Sequence, residues 1–78
     1  MEEELHKRIV VNPNVMVGKP VIKGTRIPVY TIIRLLAQGM TKKDILEDYP
    51  NLTEEDIKAA LDYVAEIIEG EDIFPLKE

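Results

Sequence analysis

Met40-Thr41-Lys42-Lys43-Asp44-Ile45 and Leu52-Thr53-Glu54-Glu55-Asp56-Ile57 are two hexapeptides of the same grammar, twelve residues apart. In each, a threonine stands where its hydroxyl can accept from the unpaired N–H groups of a helix start. In each, an aspartate three residues on can reach back to the threonine N–H, the reciprocal arrangement of a capping box with Asp in place of the usual Glu or Gln. The apolar residue before the cap and the one after it have staple spacing, Met40 with Ile45 and Leu52 with Ile57. Two helix starts are therefore expected, at Lys42 and at Glu54. The first helix ends near Asp48 or Tyr49, because the residue before Pro50 is biased away from helix. The second carries Ile57, Ala60, Leu61, Val64, Ile67 and Ile68 at one-face spacing, and Gly70 is placed to stop it. A short helix, a tight turn and a longer helix make a helix-turn-helix arrangement.

Upstream, Pro28 suits the first position of another helix. Val29 to Gln38 carries Ile32, Ile33, Leu35 and Leu36 on one face, and Gly39 offers a left-handed stop. Before Pro28 the chain reads as extended fragments. Arg8 to Asn12 is β-branched and ends on Asn12-Pro13-Asn14, and Val15-Met16-Val17 and Pro20-Val21-Ile22 are broken by Gly18 and closed by Gly24. The expected fold is mostly α: a three-helix, homeodomain-like helix-turn-helix core with a short N-terminal β-hairpin element. The expected organisation is one domain over 1–78, with a mobile N-terminus at 1–7, a β element at 8–27, the helical core at 28–69 and a C-terminal tail at 70–78.

The 78 residues include no cysteine and no serine and one histidine, His6. Disulfides, thiolate zinc sites and Ser–His or Cys–His nucleophiles have no residues to build them. The acids Asp44, Glu47 and Asp48 form a cluster, read as charge on the outer face of the first capped helix rather than as a metal site. No catalytic, cofactor-binding or metal-binding residues are expected, and the protein is expected not to be an enzyme. No apolar run approaches the roughly 20 residues of a membrane span, and Met1-Glu2-Glu3-Glu4 has the wrong sign for a secretory leader. The expectation is a cytoplasmic protein without a membrane partner.

Charge divides the chain. Leu5 to Lys43 holds eight basic residues and no acid, whereas Asp44 to Glu78 holds twelve acids against Lys58 and Lys77. Two surfaces with different partners, or two halves that complement each other within a monomer or dimer, both fit. Glu54, Glu55 and Asp56 favour the positive end of a helix dipole, and they would repel phosphates if that end entered a DNA groove. Nucleic-acid contact is therefore sought on Lys19, Lys23, Arg26, Arg34, Lys42 and Lys43. Partner contact is sought on Tyr63, Glu66, Ile73, Phe74 and Leu76, in the acidic and apolar C-terminal stretch.

Gly18-Lys19-Pro20-Val21-Ile22-Lys23-Gly24-Thr25-Arg26-Ile27-Pro28-Val29 resembles the signature of the DUF433 family. Leu35-Leu36-Ala37-Gln38-Gly39, Ile45-Leu46-Glu47-Asp48-Tyr49-Pro50, Leu52-Thr53-Glu54-Glu55-Asp56-Ile57 and Ala59-Ala60-Leu61 agree with it, so that the resemblance runs from about Ile9 to Ile68. It implies a homeodomain-like three-helical core with a small β element. It also implies a role like that of VapB-type antitoxins, commonly encoded beside a PIN-like ribonuclease. The function expected on this basis is a homodimeric antitoxin-like protein that neutralises such a toxin and binds operator DNA. The alternatives are a stand-alone helix-turn-helix regulator and a module that only dimerises. Physically, Gly24 can turn the chain and Thr25 can bond nearby backbone. Arg26 can pair bidentately either with a phosphate or with an internal carboxylate of the Asp44–Asp48 cluster.

Overall fold

The computed structural model describes residues 2–70; of Met16 only the backbone is described. The elements run β1 (Glu3–His6), β2 (Ile9–Val11), β3 (Val21–Ile22), α1 (Val29–Ala37), α2 (Lys42–Asp48) and α3 (Glu54–Gly70). Three helices with a small antiparallel sheet at the N-terminal end are the expected architecture, and the sheet is larger than a hairpin. Its order is β1-β2-β3, with Glu4 opposite Val10 and Ile9 opposite Ile22. The expected β element began at residue 8; Glu3–His6 add an edge strand before it. Their exposed, acidic pattern gives no alternation to read, and what recruits them is the neighbouring apolar strand Ile9–Val11. The expected extended run at Val15–Val17 is also different: Met16–Gly18 form a short 3-10 turn with Val17 at φ 55.

The signature segment works as a joint between sheet and helix. Gly24 takes φ +81, the left-handed region where a side chain is strained. The Thr25 hydroxyl donates to the Ile22 carbonyl at 2.8 Å and accepts from the Ile27 N–H at 3.0 Å. The Ile22 N–H donates to the Ile27 carbonyl, and Val21 bridges to Pro28. Pro28 stands one place earlier than expected, as the N-cap of α1, and has no side-chain cap. The Val29 N–H, otherwise an orphan, donates to the Pro20 carbonyl at 3.0 Å. At the other end Gly39 (φ +99) donates to Leu36 and Met40 donates to Leu35, the two bonds of a Schellman stop.

One apolar cluster joins the sheet to all three helices: Ile9, Ile22, Val29, Ile32, Ile45, Leu52, Ile57, Ala59 and Ala60. Leu52 and Ile57 both enter it and Met40 packs on it, which gives both expected staples their apolar surroundings. The α3 stripe departs from expectation in its second half. Ile57 and Ala60 are buried and Val64 is half-buried, but Leu61, Ile67 and Ile68 are exposed, as are all of residues 65–70 at the end of α3. Its periodicity continues beyond the core that the domain supplies.

Candidate interaction surfaces

Both expected capping boxes form. At α2 the Thr41 Oγ1 accepts from the Asp44 N–H, and the Asp44 carboxylate accepts from the Thr41 N–H, both at 3.1 Å. At α3 the Thr53 N–H donates to Asp56 Oδ2 at 3.0 Å, and the Asp56 N–H donates to Thr53 Oγ1 at 3.2 Å. Asp56 differs in being buried. Its second oxygen, Oδ1, accepts from Arg8 Nη1 at 3.1 Å. Arg8 sits in the β1–β2 turn at φ 69, and its carbonyl accepts from the Lys23 N–H. The internal arginine–carboxylate pair is therefore made by Arg8. Arg26, the expected donor, is exposed and makes no ion pair among the described residues. The signal that could have found it is weak: an arginine in a tight turn, 48 residues from an acid that local spacing had already assigned to a cap.

All six basic residues sought for nucleic acid are exposed. They do not form one described cluster. Lys19 places its ammonium 5.6 Å from the centre of the Tyr30 ring, a cation–π distance. Arg34, one helical turn after Tyr30, lines the same groove as Tyr30. Lys42 instead lies in a shallow hollow with Glu54, Glu55 and Lys58, at the acidic start of α3. Asp44, Glu47 and Asp48 are exposed along α2, and among the described residues no three His, Asp or Glu side chains converge to hold a metal ion.

Two features of α3 face outward. Glu55, Asp62, Glu66 and Glu69 are exposed and fall on one helical face by their spacing. Among the described residues, Asp62 accepts from Lys58 at 3.0 Å and Glu66 from His6 Nε2 at 3.1 Å, while Glu55 shares shallow hollows with Lys42 and Lys58. On another side, α1 and α3 enclose an open groove of about 490 Å³. Val29, Tyr30, Ile33, Arg34 and Ala37 of α1 and Tyr63 and Val64 of α3 line it. Of the expected partner residues, Tyr63 is thus in the groove wall, edge-on to the His6 ring at 6.2 Å. Glu66 is in the acidic face; Ile73, Phe74 and Leu76 lie outside the described residues. No described helix is long and apolar enough to cross a membrane.

The family described as "Protein of unknown function (DUF433)" matches residues 9–64, from the first core residue of β2 to the groove wall on α3. The chain belongs to the DUF433 family. A DUF433 member from Anabaena variabilis, known from a crystal structure, superposes with a TM-score of 0.74 at 40% identity, over 80% of this chain and 61% of that one. The uncharacterized protein y4eO of Sinorhizobium fredii is 36% identical over 55 residues, which are 70% of this chain and 25% of that protein. An uncharacterized protein of Archaeoglobus fulgidus is 66% identical over 29 residues, 37% of this chain and 81% of its own length. This DUF433 chain thus spans about a quarter of its rhizobial relative.

Proposed function

We propose that this DUF433 protein is a non-enzymatic, antitoxin-like adaptor that masks a PIN-like ribonuclease and, as a homodimer, binds operator DNA. The observation that carries this reading is the acidic face of α3. Glu55, Asp62, Glu66 and Glu69 stand exposed on one side of a single helix. A ribonuclease must hold a polyanion and so presents a basic groove. A row of carboxylates on a helix is complementary to such a groove and competes with RNA for it. Operator contact falls to the exposed basic residues of the other half, because α3 begins with Glu54, Glu55 and Asp56 and would be repelled by phosphates.

The reading predicts that a small PIN-like nuclease is encoded beside this gene, and the test is inhibition of that enzyme. Purified full chain is expected to form a complex with it and to stop RNA cleavage, and Glu66→Lys with Glu69→Lys is expected to abolish both effects. The reading fails if the native chain neither binds nor inhibits that enzyme. A regulator without a toxin would instead show specific promoter binding with a steep salt dependence and no nuclease complex.

A further inference from the structure

The apolar surface of the α1/α3 groove does not stop at its α3 wall. Tyr63 and Val64 line the groove. Ile67 follows Tyr63 by four residues and Val64 by three, and Ile68 follows Val64 by four, so both lie on the side of α3 that carries the wall. Ile67 is 43% exposed and Ile68 54%. An apolar strip therefore runs from the groove to the last turn of α3, where Gly70 leads into Glu71-Asp72-Ile73-Phe74-Pro75-Leu76.

Three properties of that sequence fit the strip. The first is reach. Val64 lies about 9 Å back along the helix from Gly70, and the four residues from Gly70 to Phe74 can span about 14 Å. The second is polarity. Ile73, Phe74 and Leu76 are large and apolar, and Pro75 among them has no N–H to strip of water in an apolar groove. The third is charge. Arg34 lines the groove, and Lys19 holds its ammonium 5.6 Å from the ring of Tyr30, which lines it too. Neither cation forms an ion pair among the described residues, and no described acid lines the groove. Residues 71–78 carry Glu71, Asp72 and Glu78 against Lys77, a net charge of the complementary sign. The segment is also tethered to the wall itself. It competes at an effective concentration in the millimolar range, which a separate molecule has to exceed.

We propose that the apolar segment 73–76 docks in the α1/α3 groove of its own chain, with Phe74 against Ile33 and Val64 and with Glu71 and Asp72 facing Arg34. The adaptor reading is not needed for this, since its contact is the acidic face of α3. Docking draws Arg34 away from DNA. A partner that takes hold of Ile73, Phe74 and Leu76 must first lift them from the groove.

Phe74 is the single phenylalanine of the chain, so ring-labelled phenylalanine gives one set of signals and no substitution is needed to follow it. In the full chain, nuclear Overhauser contacts are expected from that ring to the methyl groups of Ile33 and Val64. They should persist through dilution by about a hundredfold, and in a mixture of labelled and unlabelled chains they should stay within one chain. Arg34→Glu alters an exposed side chain, so the helical circular dichroism should be kept. The ratio of docked to free ring should fall about fivefold, as an attraction becomes a repulsion. Arg26→Glu, at an exposed residue outside the groove lining, should leave that ratio unchanged. A ring with no contact to either methyl-bearing residue overturns the proposal and leaves the groove to another molecule. Contacts that pass between chains, or that fade on dilution, overturn it in favour of a second copy. An Arg34→Glu chain that docks like the native one overturns it as well, as does an Arg26→Glu chain that loses as much, because charge at the groove then does not choose the occupant.

Discussion

The starts of α2 and α3 are written in the same words and placed in different surroundings. Thr41 and Asp44 exchange two hydrogen bonds at the surface, and there the matter ends. Thr53 and Asp56 exchange the same two bonds, but the Asp56 side chain is only 9% exposed and its other oxygen holds Arg8. One capping box serves its own helix. The other also ties that helix to the turn between β1 and β2. A local motif becomes a tertiary one when its acid has an oxygen to spare and the fold brings a donor to it. The reason to bury such a group is that it is fully paired; a carboxylate shielded from water without partners would cost several kcal/mol.

Breaking the comparison at its strongest point gives the largest effect. Asp56→Ala removes a cap and strands the Arg8 guanidinium beside a buried surface. It is expected to destabilise the domain by about 3 kcal/mol, which in a chain of this size lowers the thermal midpoint by on the order of 15 °C. Arg8→Ala leaves the cap intact but takes the second partner from a buried carboxylate. About 1–2 kcal/mol is expected, less than for the acid because Arg8 itself is partly in water; the left-handed backbone at residue 8 is the same in both chains. Asp44→Ala, the matching change at α2, is expected to cost about 1 kcal/mol, the ordinary worth of a surface cap. Thermal unfolding of the three variants followed by circular dichroism checks the order. If Asp44→Ala and Asp56→Ala were equal, the Arg8 contact would contribute nothing to stability.

The same contrast explains what could be read in the sequence. Both boxes were legible because a cap is a property of four consecutive residues, and their spacing is the geometry. The three helices and the Gly39 stop followed for the same reason. The partner of Asp56 was not legible, since Arg8 lies 48 residues away and nothing in either neighbourhood points to the other. Arg26, flanked by the Gly-Thr and Ile-Pro of the signature, looked better placed. Yet that loop is closed by Thr25 and the backbone alone, and its arginine is left outside. β1 escaped because Glu3-Glu4-Leu5-His6 has no strand pattern of its own; the neighbouring strand imposes one. On α3 the apolar period runs to Ile68, but only its first half is buried, because a period shows which side is apolar and not what covers it. The groove, built from α1 and α3 together, had no expression in either segment alone.

The smallest effect belongs to the surface of α3, and it sharpens the comparison from the other side. Lys58 and Asp62 form an i,i+4 pair at 3.0 Å, a shorter bond than Arg8 makes with Asp56. By distance alone it should matter as much. But both its side chains are well exposed, 73% and 50%, so water competes for each charge and two long rotamers must be held still. The order along the helix, cation before anion, is also the less favourable one. Lys58→Ala is therefore expected to change stability by less than about 0.5 kcal/mol, in either direction, because alanine is at least as good a helix former. A loss as large as that of Arg8→Ala in the same unfolding measurement would mean that length and not burial sets the worth of an ion pair here, and would undo the distinction between the two helix starts.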